Sequence, residues 1–137
     1  MVAIEWSKTL STGILWQDTQ HKELFRKINN LLDAMSAGLG KEEVKRLFKF
    51  LDDYFVVHFE AEERAMNSAS YPDMLSHLAE HTRFIEDVAA LKKECAGGVT
   101  GAFVMKVEAR VVDWLINHIG SADKAMAGFI LKATSKN

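Results

Sequence analysis

Residues 41–66 read KEEVKRLFKFLDDYFVVHFEAEERAM, and the spacing of the apolar side chains in this stretch decides the fold. Large apolar residues recur at intervals of three, four or seven positions, at Val44, Leu47, Phe48, Leu51, Phe55, Phe59 and Met66. An α-helix completes one turn in 3.6 residues, so this spacing places these side chains along one face of a helix. The stretch therefore predicts an amphipathic helix that buries one face.

Three further segments of the chain carry the same helical period. Their apolar stripes comprise Leu24, Phe25, Ile28, Leu31, Leu32 and Met35; Met74, Leu78, Ile85, Val88 and Leu91; and Val104, Val107, Val111, Trp114 and Leu115. No stretch shows the sustained alternation of apolar and polar residues that is typical of strands. Glycine and proline separate the segments, and short connections make consecutive helices antiparallel neighbours. The sequence therefore predicts an all-α, antiparallel, up-down-up-down four-helix bundle.

The predicted bundle occupies one domain, residues 1–137. An extended N-terminal arm covers residues 1–17, the bundle helices cover 18–37, 41–66, 71–95 and 101–119, and a short C-terminal helix covers 124–132. Asp18 is the predicted N-cap of the first helix, and Trp6 and Trp16 are the predicted packing anchors of the arm. A frayed tail is expected from Thr134 onward.

Composition excludes several classes of function. The chain has 17 Lys and Arg against 19 Asp and Glu, with no basic block, so neither nucleic acid nor an anionic membrane is an expected partner. No apolar run is long enough to span a bilayer, and the chain does not start as a secretory signal does. The single cysteine, Cys95, excludes an internal disulfide and is expected to be a bystander thiol. A cytoplasmic location is expected.

All five histidines fall on the apolar stripes: His21, His58, His77, His81 and His118. A lone histidine on such a face is more often a hydrogen-bonded core residue than a metal ligand. If the stripe takes three of every seven positions, five histidines placed at random would all fall there only about one or two times in a hundred. The pattern therefore indicates a shared function.

Two carboxylates accompany the histidines. Glu62 follows His58 by four residues on the buried stripe, where an unpaired charge is costly. At 1.5 Å per residue, each histidine lies about 21–27 Å from the turn at the far end of its helix, so antiparallel packing brings all five to one level. Asp123 follows His118 by five residues, just past Gly120, and can bend back to the same place. The sequence thus predicts a cluster of five imidazoles and two carboxylates.

Such a cluster indicates a metal centre. Imidazole and carboxylate suit iron, zinc, copper or nickel, and the lack of cysteine ligands argues against a structural zinc or iron–sulfur site. Seven ligands are too many for one ion. Two ions that share both carboxylates and a solvent-derived oxygen bridge would leave the ion with three histidines saturated and the ion with two histidines with an open position. An open position in an apolar cage suits a small diatomic molecule.

Four motifs carry these side chains: DTQH at 18–21, HFEAE at 58–62, His77-x3-His81, and WLINHI at 114–119 followed by Asp123. They resemble the motifs of the hemerythrin family, and a single domain resembles its bacterial branch. The resemblance implies a non-haem di-iron centre, with two iron ions (Fe²⁺/Fe³⁺) joined by an oxo or hydroxo bridge, that binds O₂ reversibly.

Carried over residue by residue, the resemblance implies a role for each side chain of the cluster. The saturated iron would be held by His77, His81 and His118, and the iron with the open position by His21 and His58. Glu62 and Asp123 would bridge them. The family's pocket-lining positions match Trp114, Leu115 and Ile119.

The sequence departs from the family pattern at two positions. Gln17 stands where an aliphatic residue is usual, and Met126 stands where tyrosine is frequent. Both departures bear on the affinity for O₂ and the rate of autoxidation.

The predicted function is O₂ storage, transport or delivery to oxygen-consuming enzymes, by a monomeric protein that is not itself an enzyme. The alternatives are an O₂ or redox sensor that acts through a partner protein, and a di-iron oxidase. Ferritin-like oxidases use Glu-x-x-His pairs and more carboxylates, whereas this chain has His-x3-Glu and an excess of histidine, which favours reversible binding. A sensor usually needs an output domain, for which this chain has no room.

Overall fold

The computed structural model describes residues 4–38 and 40–135, and it confirms the predicted all-α four-helix bundle. Helix α1 spans Leu15–Ser36, α2 spans Lys41–Ala69, and α3 spans Met74–Glu94. The fourth run consists of α4 (Gly101–Val107), α5 (Trp114–His118) and α6 (Lys124–Ser135). Two π-helical turns, Glu108–Asp113 and Ile119–Asp123, join these three, and short 3₁₀ turns lie at Lys8–Leu10 and Cys95–Gly97.

The four helical runs meet in one apolar core. Its largest fully buried side chains include Leu24, Ile28, Leu31, Phe48, Leu51, Phe55, Phe59, Phe84, Leu91 and Leu115. Cys95 is buried at the edge of this core, where burial raises the pKa of its thiol. No helix of the described residues is long and apolar enough to cross a membrane.

The buried face of α3 differs from the predicted stripe. The buried residues are His77, His81, Phe84, Val88 and Leu91, which still follow the helical period. Leu78 and Ile85, which the predicted stripe included, are only half-buried, whereas Phe84, which it omitted, is buried. The five-residue face that includes both histidines is the better fit to a helix of 3.6 residues per turn.

The N-terminal arm is fastened to the start of α1 by Asp18. The helix begins at Leu15, so Asp18 lies in its first turn and the prediction of Asp18 as the N-cap is wrong. Its carboxylate accepts hydrogen bonds from the Thr12 amide (2.8 Å), the Thr12 hydroxyl (3.0 Å) and the Ser11 hydroxyl (2.7 Å). Partial burial raises the pKa of Asp18, but these hydrogen bonds outweigh it and the net pKa is lowered.

Further along the arm, Ile4 and Asn29 exchange two hydrogen bonds of 2.9 Å between the arm backbone and the Asn29 amide. Trp6 packs against the core, with the Lys22 ammonium 4.5 Å from its ring centroid. Trp16 is 37 % exposed on α1, so its prediction as a packing anchor is wrong. Residues 1–3 of the predicted arm lie outside the described residues.

The fourth run continues past Gly120. The residues that flank its π turn, His118 and Lys124, have right-handed helical dihedral angles, and helix continues to Ser135. The predicted separate helix at 124–132 is therefore the end of a longer helical run. The helix passes through Gly120 as a π turn and does not end there. Of the predicted tail, residues 136 and 137 lie outside the described residues.

Candidate metal centre

The structure brings together all seven side chains that the sequence analysis singled out, at one end of the bundle. They come from every helical run: His21 from α1, His58 and Glu62 from α2, His77 and His81 from α3, His118 from α5, and Asp123 from the second π turn. Each is buried, with 3 % or less of its surface exposed.

A π turn places Asp123 in this cluster. In an α-helix, two residues five positions apart point about 140° away from each other, since each residue rotates by about 100°. The wider turn over Ile119–Asp123 closes this angle, and Asp123 Oδ1 lies 3.0 Å from His118 Nε2. The predicted approach of Asp123 to His118 is thus reached without the expected break at Gly120.

Glu62 faces two different groups of histidines with its two oxygens. Its Oε2 lies 3.0 Å from His58 Nε2 and 3.5 Å from His21 Nε2. Its Oε1 lies 3.1 Å from His81 Nε2 and 3.2 Å from His77 Nε2. The carboxylate therefore lies between a pair of histidines from α1 and α2 and a pair from α3.

Asp123 divides its oxygens in the same way. Its Oδ2 lies 3.0 Å from His21 Nε2, whereas its Oδ1 lies 3.1 Å from His77 Nε2 and 3.0 Å from His118 Nε2. Two groups of potential ligand atoms result, and both carboxylates belong to both groups. One group adds His77, His81 and His118, and the other adds His21 and His58.

Protein atoms alone leave this cluster unsatisfied. Both Asp123 oxygens and both His21 ring nitrogens are buried with no hydrogen-bond partner, because the short contacts between them do not have hydrogen-bond geometry. Buried polar atoms without partners are rare and costly in folded proteins. Nitrogen and oxygen atoms that converge without satisfying one another are a donor set that fits first-row transition-metal ions.

The carboxylates and imidazoles of the cluster shift one another's pKa values. Burial raises the pKa of Glu62, but the facing imidazoles outweigh it and hold the pKa well below its usual range. Burial lowers the pKa of His21 and of His77, but Asp123 and Glu62 outweigh it and raise both to about 9. In the metal-free cluster His21 and His77 therefore favour the protonated form, as expected where two buried carboxylates need positive charge beside them.

Two side chains outside the cluster orient its histidines, and neither role was predicted from the sequence. The Gln20 side-chain oxygen lies 2.6 Å from His58 Nδ1, and a Glu80 oxygen lies 3.1 Å from His118 Nδ1. An acceptor at Nδ1 fixes the proton there and leaves the Nε2 lone pair directed into the cluster. Gln20 directly precedes His21, and Glu80 directly precedes His81. A polar residue next to a predicted ligand was therefore the sequence feature that could have indicated these two roles.

Aromatic rings pack on the other faces of the histidines. The Phe59 ring stacks on His81 with centroids 3.8 Å apart, and the Trp114 ring stacks on His118 at 4.4 Å. Phe84 stacks on Trp114 at 4.1 Å. Of the predicted pocket-lining residues, Leu115 and Ile119 are buried and Trp114 is half-buried.

Gln17 and Met126, the two departures noted in the sequence, lie together beside this cluster. Both are fully buried. The Gln17 side-chain nitrogen donates a hydrogen bond of 2.9 Å to Glu62 Oε2 and lies 3.8 Å from the Met126 sulfur.

Comparisons with known proteins agree with one another. Residues 12–130 match the family model described as the hemerythrin HHE cation binding domain. A bacteriohemerythrin from Methylococcus capsulatus is 35 % identical over 90 % of this chain and 94 % of its own length. A myohemerythrin from Theromyzon tessulatum is 31 % identical over 87 % of each chain. A crystal structure of wild-type hemerythrin superposes with a TM-score of 0.81 at 30 % identity, over 94 % of this chain and 98 % of that one.

Proposed function

Because the chain belongs to the hemerythrin family, we propose that it binds O₂ reversibly at two iron ions held between its four helical runs. The observation that carries the proposal is the division of Glu62 and Asp123 between two groups of histidines. Each carboxylate offers one oxygen to each group, as a bridge between two ions requires. A single metal ion would not account for seven buried ligand side chains in two groups.

The two groups differ by one histidine, and this difference supports different roles for the two proposed irons. His77, His81 and His118 would hold one iron together with both carboxylates, which would give it one protein ligand more than the other iron. His21 and His58 would hold the other iron, which then keeps one open position. O₂ would bind at this open position. Two ferrous ions held by these residues would supply the electrons that O₂ takes up on binding and returns on release.

The surrounding residues keep the ligands in place and keep water out. Gln20 and Glu80 hold the imidazoles of His58 and His118 with their Nε2 atoms directed inward. The walls near α5 are apolar, with Leu115 and Ile119 buried. We propose that these two residues and Trp114 line the O₂ pocket, where excluding water suppresses the irreversible loss of electrons from the iron.

The site favours a carrier over an enzyme. Five imidazoles and two carboxylates form a ligand set richer in nitrogen than that of the ferritin-like oxidases, in which carboxylates dominate. We propose that the protein stores O₂ or delivers it to an oxygen-consuming enzyme. A monomeric state and a cytoplasmic location stay predictions.

The test is to purify the protein, reduce it under anaerobic conditions, measure iron per chain, and record visible spectra through cycles of oxygenation and deoxygenation. We expect about two irons per chain and a visible charge-transfer band that appears with O₂ and disappears when O₂ is removed. An iron content near zero would contradict the di-iron site. Oxidation that never reverses, accompanied by turnover of an added substrate, would instead indicate an oxidase.

A further inference from the structure

Gln17 is a buried polar side chain to which the assignment of the metal ligands gives no role. It lies on α1 one turn before His21 and is fully buried. Its amide nitrogen contacts Glu62 and the Met126 sulfur, and its amide oxygen is buried with no hydrogen-bond partner. An amide with an unpaired oxygen costs free energy that an apolar side chain of similar size avoids. Packing therefore does not account for an amide at this position.

The hydrogen bond from Gln17 reaches one particular oxygen of Glu62. That oxygen, Oε2, is the one that lies 3.0 Å from His58 Nε2 and 3.5 Å from His21 Nε2. The other oxygen, Oε1, faces the α3 histidines and receives nothing from Gln17. The amide thus acts on the half of the site that has two histidines.

A hydrogen bond to a carboxylate oxygen draws negative charge away from that oxygen. The oxygen then donates less charge to a metal ion that it binds. A ferric ion gains more from this donation than a ferrous ion does, because its charge is higher. Hydrogen bonds to ligand atoms are one of the ways in which proteins set the reduction potential of iron sites.

We propose that Gln17 is a positioning residue that holds Glu62 and raises the reduction potential of the iron on the His21–His58 side. The proposal rests on the proposed di-iron function. The electron balance is one electron taken up as the ferric ion becomes ferrous, supplied in the test by an electrode through mediators. A higher potential keeps the iron ferrous in the absence of O₂, which is the state that a reversible carrier needs.

The test compares iron-loaded Gln17→Met with the wild-type protein. The midpoint potential is measured by spectroelectrochemical titration, and the iron content per chain is measured on the same samples. Methionine has a similar length and volume but donates no hydrogen bond. We expect an unchanged iron content and about a tenfold higher ferric-to-ferrous ratio at a given potential, equal to a midpoint about 59 mV lower for a one-electron step. Gln17→Leu removes the same hydrogen bond with a different shape and should shift the potential in the same direction.

Met126→Leu is the matched control, because it replaces the other neighbour of the Gln17 amide and leaves the hydrogen bond to Glu62 in place. We expect a wild-type potential in this variant. Unchanged potentials in both Gln17 variants, or an equal shift in Met126→Leu, would overturn the role of Gln17 while leaving the di-iron function intact. A wild-type protein that binds no iron would overturn the proposed function and this inference together.

Discussion

At the scale of single residues, a substitution of His58 affects one half of the proposed site and leaves the ligands of the other half in place. Its Nε2 contacts Glu62 through Oε2, which faces away from the α3 histidines. We expect His58→Ala to retain about one iron per chain instead of about two, and to lose O₂ binding, because the iron with the open position would keep only His21 as a nitrogen ligand. Iron analysis and the visible O₂ spectrum measure both effects, and circular dichroism should show an unchanged helix content.

The matched control for His58→Ala is Val57→Ala. Val57 is the preceding residue on α2 and is 57 % exposed, so its truncation leaves the site untouched. We expect wild-type iron content and O₂ binding in this variant. Normal O₂ uptake by His58→Ala would refute the assignment of His58 as a ligand.

The titration of His21 and His77 predicts a dependence of stability on pH that differs between the metal-free and iron-loaded protein. Both have a pKa raised from 6.5 to about 9 in the folded metal-free state. Between these values the folded state holds more protons than the unfolded state, so the free energy of unfolding falls as pH rises. The stabilisation is fully present below pH 6.5 and is lost as pH passes through about 9.

Iron removes this slope, because a ring nitrogen bound to iron cannot take up a proton. Above pH 6.5 the same imidazoles are unprotonated in the unfolded state as well, so the iron-loaded protein should show a flat profile there. Urea unfolding at several pH values between 6.5 and 9 measures both profiles. Parallel profiles for the two forms would contradict the binding of iron by these histidines.

At the scale of secondary-structure elements, we expect alanine substitutions at two glycines to change the free energy of unfolding in opposite directions. Gly120 lies inside the π turn of a continuous helical run, and a Cβ placed there would meet only Leu10, at an ordinary contact distance of 4.0 Å. We expect Gly120→Ala to raise the free energy of unfolding by about 0.5–1 kcal/mol, because alanine loses less backbone entropy on folding. Thermal unfolding measures the change, and the iron content should stay as in the wild type.

Gly98→Ala is the control of opposite sign. Gly98 follows the 3₁₀ turn after α3 with a φ of 109°, which alanine rarely adopts even though the space around it is open. We expect a loss of about 1–2 kcal/mol in the free energy of unfolding. A loss of stability in Gly120→Ala of the same size would show that the second π turn itself requires glycine.

The helical elements also show which parts of the fold and of the site could be predicted from the sequence. The helical period fixed the number of helical runs, and antiparallel packing placed the histidines at one level, because both follow from repeat lengths alone. The path from His118 to Asp123 could not be derived in that way. Helical periodicity does not distinguish a π turn from a helix break, and a glycine is compatible with either. Trp16 was misplaced because composition does not tell which side of a first helical turn faces the core.

At the scale of the whole molecule, the cluster joins four helical runs that also meet in the apolar core and through ion pairs such as Lys92–Asp52. The apolar core extends from the far end of the bundle, near Val44 and Phe103, up to the rings of Phe59 and Trp114, which meet edge to face. At the cluster itself, two buried carboxylates face five imidazoles, and Asp123 has no hydrogen-bond donor for either oxygen. The end of the bundle that holds the cluster thus contains buried polar atoms to which protein contacts alone give no hydrogen-bond partner.

Removing iron should therefore lower the stability of the whole bundle without unfolding it. An ion that binds only the folded state adds about 2.7 kcal/mol when its free concentration is 100 times its dissociation constant. For a chain of this length, we expect the melting temperature of the chelator-treated protein to fall by about 10 °C, and re-addition of ferrous iron under anaerobic conditions to restore it. Far-ultraviolet circular dichroism should show the helices retained at 25 °C, because the apolar core needs no metal.

The two variants of α2 serve as controls for this prediction. The fall in melting temperature should be smaller in His58→Ala, which keeps one iron, and as large as in the wild type in Val57→Ala. Equal melting temperatures with and without iron in the wild-type protein would contradict a metal that bridges all four helical runs.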